Sequence, residues 1–166
     1  MREGGAMVEA SSTGVDAEAR LKELNIELPD PPASAGNYVG AVRTGDLLFL
    51  AGAGPRKQDG SHLVGRLGEN LDIEQGYEAA RLVALVQLAQ LRSELGDLNR
   101  VKRVVKVLGM VNSAPSFTDQ PKVINGFSDL IVEVFGDRGK HARSAVGMAA
   151  LPFNIAVEVE MIVEVE

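Results

Sequence analysis

The chain is 166 residues long, which is enough for one domain with a sizeable core, and 45% of its residues are hydrophobic against 24% charged. Its net charge of −6 disfavours nucleic acid as the main partner, because a negative protein repels phosphate backbones. It has no cysteine and only two histidines, so disulfides, thiolate nucleophiles, zinc clusters and a Ser-His-Asp triad are all poorly supported.

No apolar run is long enough to span a bilayer, and the N-terminus lacks the pattern of a secretory signal. These features predict a cytoplasmic protein that does not bind membranes. Composition divides the chain into a disordered N-terminal tail at 1–15, a short helix with a proline-rich extension at 16–36, and a folded domain at 37–166.

Periodicity predicts the order β-β-α-β-α-β-β within the domain. A capping box formed by Asp72 and Gln75 begins one helix, which Gly96 ends, and a second helix runs from Asp119-Gln120-Pro121 to Gly136. The predicted strands are 38–43, 47–51, 101–111, 142–150 and 155–165. This order indicates an α+β sandwich with both helices on one face of the sheet.

The two closing strands carry Arg143 and Glu158 on the faces opposite their most apolar residues. A solvated sheet face with one stray arginine is the simplest interpretation. Ile162 among the glutamates, and the small residues beside Arg143, favour a ligand site instead. An ion pair between subunits is a structural alternative for Arg143, and a hydrogen-bonded structural role is one for Glu158.

If the closing strands form a hairpin about the corner at 151–154, Arg143 lies opposite Ile162. Glu158 then lies about four residues along the strand, roughly 13 Å from Arg143 at the usual rise. A small molecule could not touch both side chains within one chain. We therefore expect any pocket that uses both to combine two subunits.

Four stretches of the chain resemble one known family. The most specific is HARSAVGMAALPFNIAVEVEMI, which contains an A-R-S triplet, an L-P pair and two V-E pairs, and the others are GNYVGAVRTGDLLFLAGAGP, GYEAARLVALVQLAQL and GDLNRVKRVVKVLGMV. Over about residues 34–165 they are similar to the Rid family of reactive intermediate deaminases (RidA/YjgF). Members of this family are also labelled L-PSP endoribonuclease or translation initiation inhibitor. The chain looks most like a longer subgroup of the family whose function is generally unassigned.

The resemblance implies a chorismate-mutase-like fold, with a six-stranded sheet and two helices on one face, in a homotrimeric barrel with ligand clefts between subunits. It implies hydrolysis of enamines and imines such as 2-aminoacrylate to 2-keto acids and ammonia, without a metal or organic cofactor. Arg143 matches the arginine that binds the substrate carboxylate, and Glu158 matches the glutamate that positions or activates water. The implied substrate-binding residues are Tyr38, Gly52, Phe117 and Ala145.

Three positions depart from the family pattern. Pro121 falls where the deaminases have a cleft asparagine, Ala53 replaces a common glutamine, and the loop at 136–140 differs in sequence. The alternatives to a deaminase are a non-catalytic trimer that binds a small carboxylate, and an L-PSP-type endoribonuclease or translation inhibitor. The acidic charge counts against the last of these.

Overall fold

The structure, a computed structural model, describes residues 14–33 and 36–166. These residues form three α-helices and five β-strands, in the chain order α1 Ala17–Glu23, β1 Ala41–Thr44, β2 Leu47–Ala53, α2 Ile73–Leu95, β3 Val101–Asn112, α3 Gln120–Phe135, β4 Ala142–Met148 and β5 Val157–Val165. Short 3₁₀ turns lie at Leu98–Arg100, Gly136–Gly139 and Pro152–Asn154. The disorder predicted for 1–15 concerns a segment that lies almost wholly outside the described residues.

Local sequence accounts for the ends of α2. The Asp72 carboxylate accepts a hydrogen bond from the Gln75 backbone N–H at 2.8 Å, and the Gln75 side chain accepts one from the Asp72 N–H at 3.0 Å. These two bonds satisfy donors that the first turn of a helix leaves unpaired. At the other end, Gly96 has a φ of 78°, a left-handed conformation that glycine adopts without a steric penalty.

The strands form one mixed sheet in the order β1-β2-β5-β3-β4. The sixth strand implied by the family resemblance is absent from the described residues. The segment between β2 and α2 makes only isolated bridges, such as Arg56 with His62 and Val64 with Ile155, and no continuous ladder. The first helix, α1, lies in the segment 16–36 for which the sequence predicts a short helix, and it packs against α3, so α2 and α3 are the two helices expected for the domain.

The predicted hairpin between the closing strands is wrong. β4 pairs with β3 in parallel, through the crossover helix α3, and β5 lies between β2 and β3. Arg143 is therefore aligned with Val107 of β3 and not with Ile162. Parallel neighbours joined by a helix form a βαβ unit, which the short corner at 151–154 cannot reveal.

One face of the sheet is buried under α2 and α3. The alternate residues Val157, Val159 and Met161 of β5 lie on this face and are at most 2% exposed. The two helices pack closely because α3 has a glycine at the crossing: a Cβ at Gly126 would lie 2.0 Å from the Tyr77 carbonyl oxygen of α2. The opposite face carries no helix in the described part of the chain, and Val42, Phe49 and Val146 are exposed there.

Candidate functional site

A bulge in β2 creates a groove beside the sheet. The register between β2 and β5 shifts between the pairs Leu50–Met161 and Ala53–Val159, so β2 holds an extra residue here. The buried Gln87 side chain of α2 donates hydrogen bonds to the carbonyl oxygens of Ala51 at 2.9 Å and Val159 at 2.8 Å. Gln87 thus provides hydrogen bonds to backbone carbonyl oxygens at the bulge, in place of the N–H groups of a neighbouring strand.

Glu158 lies directly against Gly52 in this groove, which has a volume of about 500 Å³. A Cβ at Gly52 would lie 2.2 Å from the Glu158 Oε1 atom, so only glycine leaves room for the carboxylate in this position. Burial raises the pKa of Glu158, and the neighbouring Glu160 raises it further. A carboxyl group with a raised pKa exchanges protons closer to neutral pH, which suits a general base or acid.

Tyr38 lines the same groove and precedes β1. It is 55% exposed, so it contributes a partly exposed wall to the groove. Three of the six predicted site residues, Tyr38, Gly52 and Glu158, therefore meet at the bulge.

Arg143 lies elsewhere, on the helix-covered side of the edge strand β4. Its Nη1 atom donates hydrogen bonds to Asn125 Oδ1 at 2.9 Å and to Ser128 Oγ at 3.1 Å, and Nη2 lies 3.4 Å from the Pro121 carbonyl oxygen. None of the ion pairs among the described residues includes Arg143. The guanidinium is thus anchored at its Nη1 end by neutral groups of α3, and its Nε edge makes none of these bonds.

His141 extends this anchor. Its Nδ1 atom lies 2.6 Å from the Gly139 carbonyl oxygen, and its Nε2 atom lies 2.9 Å from Ser128 Oγ. A carbonyl can only accept, so Nδ1 carries the proton and Nε2 accepts from the Ser128 hydroxyl. Burial lowers the pKa of His141, and the charge of Arg143 lowers it as well, against the opposing effect of the Gly139 carbonyl. The neutral imidazole therefore orients Ser128 so that its oxygen accepts from Arg143.

The other two predicted residues do not line the groove. Ala145 is aligned with Gly109 of β3 and packs against the core on the same side of β4 as Arg143. Phe117 is half-buried before α3, where its carbonyl oxygen accepts from the Gln120 side chain at 2.8 Å.

Arg143 and Glu158 consequently lie on opposite faces of the sheet. Glu158 is aligned with Met110 on the face without helices, whereas Arg143 is aligned with Val107 on the buried face. The hairpin assumed from the sequence placed both side chains on one face of the sheet, and this prediction is wrong. Within a single chain the structure does not bring the two side chains together.

Sequence reasoning did not identify Gln87, Ser128 or His141 as parts of the two clusters. A signal existed for Gln87, because it interrupts the apolar stretch VALVQLAQL on a helix whose other faces are also largely buried. A polar residue in such a stretch needs a hydrogen-bond partner. Ser128 and His141 carry no comparable signal.

The fold and the grouping of Tyr38, Gly52 and Glu158 define a single-domain α+β protein with a groove at the bulge of β2. Residues 18–165 match the family model described as "YjgF/chorismate_mutase-like, putative endoribonuclease". The chain belongs to this YjgF/RidA/L-PSP family. Among the described residues no helix is long and apolar enough to cross a membrane, and no group of three or more His, Cys, Asp or Glu side chains could hold a metal ion.

Individual relatives agree with the family assignment. Protein TCP17 of Trypanosoma cruzi is 50% identical over 147 residues, which cover 88% of this chain and 92% of that protein. The crystal structure of Atu1372 from Agrobacterium tumefaciens, a protein of unknown function, is 44% identical with a TM-score of 0.83, over 90% of this chain and 94% of that one. A protein of Shewanella oneidensis, solved as "a putative endoribonuclease", is 34% identical with a TM-score of 0.87, over 90% and 99% of the two chains.

Proposed function

We propose that the protein hydrolyses small enamines and imines that carry a carboxylate, of the 2-aminoacrylate type, to 2-keto acids and ammonia. The proposed sites are clefts between the subunits of a homotrimer. Arg143 binds the substrate carboxylate, Glu158 handles protons, and Tyr38, Gly52, Phe117 and Ala145 shape the cleft. The cytoplasm stays the predicted compartment.

The observation that carries the proposal is the set of hydrogen bonds that the Arg143 guanidinium makes. A cation without a carboxylate partner in its own chain keeps its charge available to a ligand. Arg143 contacts only neutral acceptors of α3 and keeps its Nε edge out of these bonds. A planar guanidinium edge matches the two oxygens of a carboxylate, so the remaining donors suit a bidentate anion.

Glu158 supplies the second requirement. Imine hydrolysis adds water to the C=N carbon, forms a carbinolamine, and then breaks the C–N bond to release ammonia and the keto acid. An enamine first takes a proton on carbon and loses one from nitrogen to become the imine. Glu158 moves two protons in turn. It passes one from the attacking water to the imine nitrogen as the carbinolamine forms, and then one from the carbinolamine hydroxyl to the same nitrogen as the C–N bond breaks, so that atoms and charge balance with water as the only co-reactant.

Joint action of the two groups on one substrate requires a shared cleft. Because Arg143 and Glu158 lie on opposite faces of one sheet, a small substrate needs Arg143 of one subunit and Glu158 of another. The face without helices also exposes the apolar side chains Val42, Phe49 and Val146. Val42 and Phe49 are paired neighbours on β1 and β2, and Val146 lies on β4 at the other edge of the sheet. A trimer that joins these faces would cover all three.

Ammonia release from enzymatically generated 2-iminopropanoate tests the activity. The wild type should raise the rate above the spontaneous reaction, and Arg143→Ala should remove this increase, since the carboxylate loses its partner. Arg103→Ala, which removes an exposed arginine of β3, is the matched control and should retain activity. Equal rates of ammonia release for wild type and Arg143→Ala would refute the proposed enzymatic activity.

Two further measurements separate the remaining possibilities. The mass in solution should be that of three chains, and a stable monomer would remove the shared cleft. Binding of 2-oxobutyrate that depends on Arg143, without any ammonia release, would identify the non-catalytic carboxylate-binding protein. RNA cleavage that survives Arg143→Ala and further purification would favour the nuclease.

A further inference from the structure

The groove that contains Glu158 is larger than the smallest substrates need. Its volume of about 500 Å³ lies within the range of about 300–1,000 Å³ that holds drug-sized ligands. A three-carbon imine with its carboxylate on Arg143 would leave part of this space empty. The groove therefore has room for a substrate with a longer side chain.

An arginine other than Arg143 lines this groove. Arg56 follows β2 and forms an antiparallel bridge with His62, and both residues line the groove together with Glu158. Residues paired directly across an antiparallel bridge direct their side chains to the same side. The groove therefore combines two groups that can donate hydrogen bonds to an anion, a guanidinium and an imidazole.

Arg56 is held in place without being neutralised. Its Nη2 atom donates a hydrogen bond to the Asp30 backbone carbonyl, and none of the ion pairs among the described residues includes it. The segment that supplies this carbonyl also contributes Pro32 and Ala33 to the groove wall. A guanidinium has five N–H donors, so one bond to a carbonyl leaves Arg56 able to bind a carboxylate.

We infer that Arg56 determines substrate specificity by binding a second acidic group, so that the preferred substrates are imines of dicarboxylic amino acids. The inference rests on the proposed function, because it assumes that Arg143 of a neighbouring subunit binds the first carboxylate. Two arginines then meet the two carboxylates of the substrate, and Glu158 stays available for water. His62 adds a hydrogen-bond donor beside Arg56.

Binding of two keto acids to the full chain tests this inference. 2-Oxobutyrate has one carboxylate and 2-oxoglutarate has two, and both are products of the kind that the reaction releases. The wild type should bind 2-oxoglutarate about ten- to a hundredfold more tightly, as expected for one charge-assisted pair. Calorimetry on the assembled protein measures both affinities.

Arg56→Gln and Lys57→Gln form a matched pair. Both remove one positive charge from the same loop, but Lys57 is exposed and does not line the groove. Arg56→Gln should abolish the preference for 2-oxoglutarate and leave the affinity for 2-oxobutyrate within about twofold of wild type. Lys57→Gln should retain the preference, since it changes only the long-range field.

The outcomes separate the two proposals. If 2-oxobutyrate binds in an Arg143-dependent way but 2-oxoglutarate binds no more tightly, the role of Arg56 is refuted and the proposed function stands. Equal effects of Arg56→Gln and Lys57→Gln would refute it as well. If neither keto acid binds the wild type, or if binding ignores Arg143→Ala, both proposals fail together.

Discussion

The Arg143 guanidinium is held by the hydrogen bonds that it donates to α3, whereas the Glu158 carboxylate is held by the space that Gly52 leaves open. Arg143 has acceptors at 2.9 and 3.1 Å that fix one end of its plane. No hydrogen bond contributes to the raised pKa of Glu158, which reflects burial and the nearby Glu160. One group is oriented by polar partners, and the other by the absence of a side chain opposite it.

The difference fits the demands on the two groups. A cation that binds a carboxylate benefits from a fixed orientation, because bidentate geometry is lost when the plane rotates. A proton-transfer group must keep its oxygens available for water and substrate, and hydrogen bonds from the protein would lower its pKa. Packing without hydrogen bonds positions Glu158 and keeps its pKa high.

Replacing Glu158 should have the largest effect. Glu158→Gln removes the group that takes the proton from water, and the rate of ammonia release should fall about 10²- to 10⁴-fold. Glu160→Gln, which makes the same change two residues along the strand at an exposed position, should retain most of the activity. A Glu158→Gln enzyme with full activity would show that the carboxylate does not take part in the reaction.

The pH dependence of the wild type sharpens this test. Burial raises the pKa of Glu158 above the usual glutamate value of 4.5. As the pH decreases, the rate should therefore begin to fall before the pH reaches 4.5. The charged carboxylate is disfavoured in the folded state, so Glu158→Gln should not lower the melting temperature at neutral pH. Loss of stability in this variant would point to a structural role.

Gly52→Ala tests whether space positions the carboxylate. The new Cβ would lie 2.2 Å from Oε1, so Glu158 must turn away, and the rate should fall about 10²-fold as expected for a displacement of about 1 Å. The clash involves the end of a flexible side chain, and the free energy of unfolding should therefore change by no more than about 1 kcal/mol.

A double-mutant cycle isolates this mechanism. In a Glu158→Gln background, Gly52→Ala should cost almost nothing further, because the group it displaces has already lost its function. Additive losses of rate in the double variant would show that Gly52 acts on the substrate directly and not through Glu158.

Ser128→Ala tests the hydrogen-bonded half of the comparison. It removes an acceptor of Arg143 and the link to His141, so KM should rise about tenfold, as expected for a hydrogen bond to a charged group, while kcat changes less. Ser128→Thr keeps the hydroxyl and should restore KM. Ser116→Ala, at an exposed position of the loop before α3, is the control. A fall in kcat with an unchanged KM in Ser128→Ala would contradict a positioning role for Ser128.

Local sequence predicted the parts of the fold that local forces determine. The capping box of Asp72 and Gln75, the end of α2 at Gly96 and the order of helices and strands along the chain are all observed. Strand pairing was predicted wrongly, because the corner at 151–154 looks like a hairpin turn although β3 and β4 are the neighbours. Alternation of side chains fixes the two sides of a strand but carries no information about its partner or about which side the helices cover.

The candidate site divides in the same way. Arg143, Glu158, Gly52 and Tyr38 were identified from a sequence pattern shared with a family. Gln87, Ser128 and His141 act only through contacts between elements far apart in the chain, such as the 2.8 Å bond from Gln87 to the Val159 carbonyl. Such contacts depend on how α2 and α3 lie over the sheet, and that arrangement follows from packing of the whole core.

Replacing His141 should have the smallest effect, and this effect is on protein stability. Burial lowers its pKa, so below about pH 6.5 the unfolded chain binds a proton that the folded chain binds less readily. Stability should therefore decrease as the pH falls from 7 to 5, and His141→Gln should make this decrease smaller. Urea unfolding at both pH values measures the change, with His62→Gln at an exposed position for comparison. An identical decrease in wild type and His141→Gln would show that protonation of His141 does not destabilise the fold, and the lowered pKa would then be wrong.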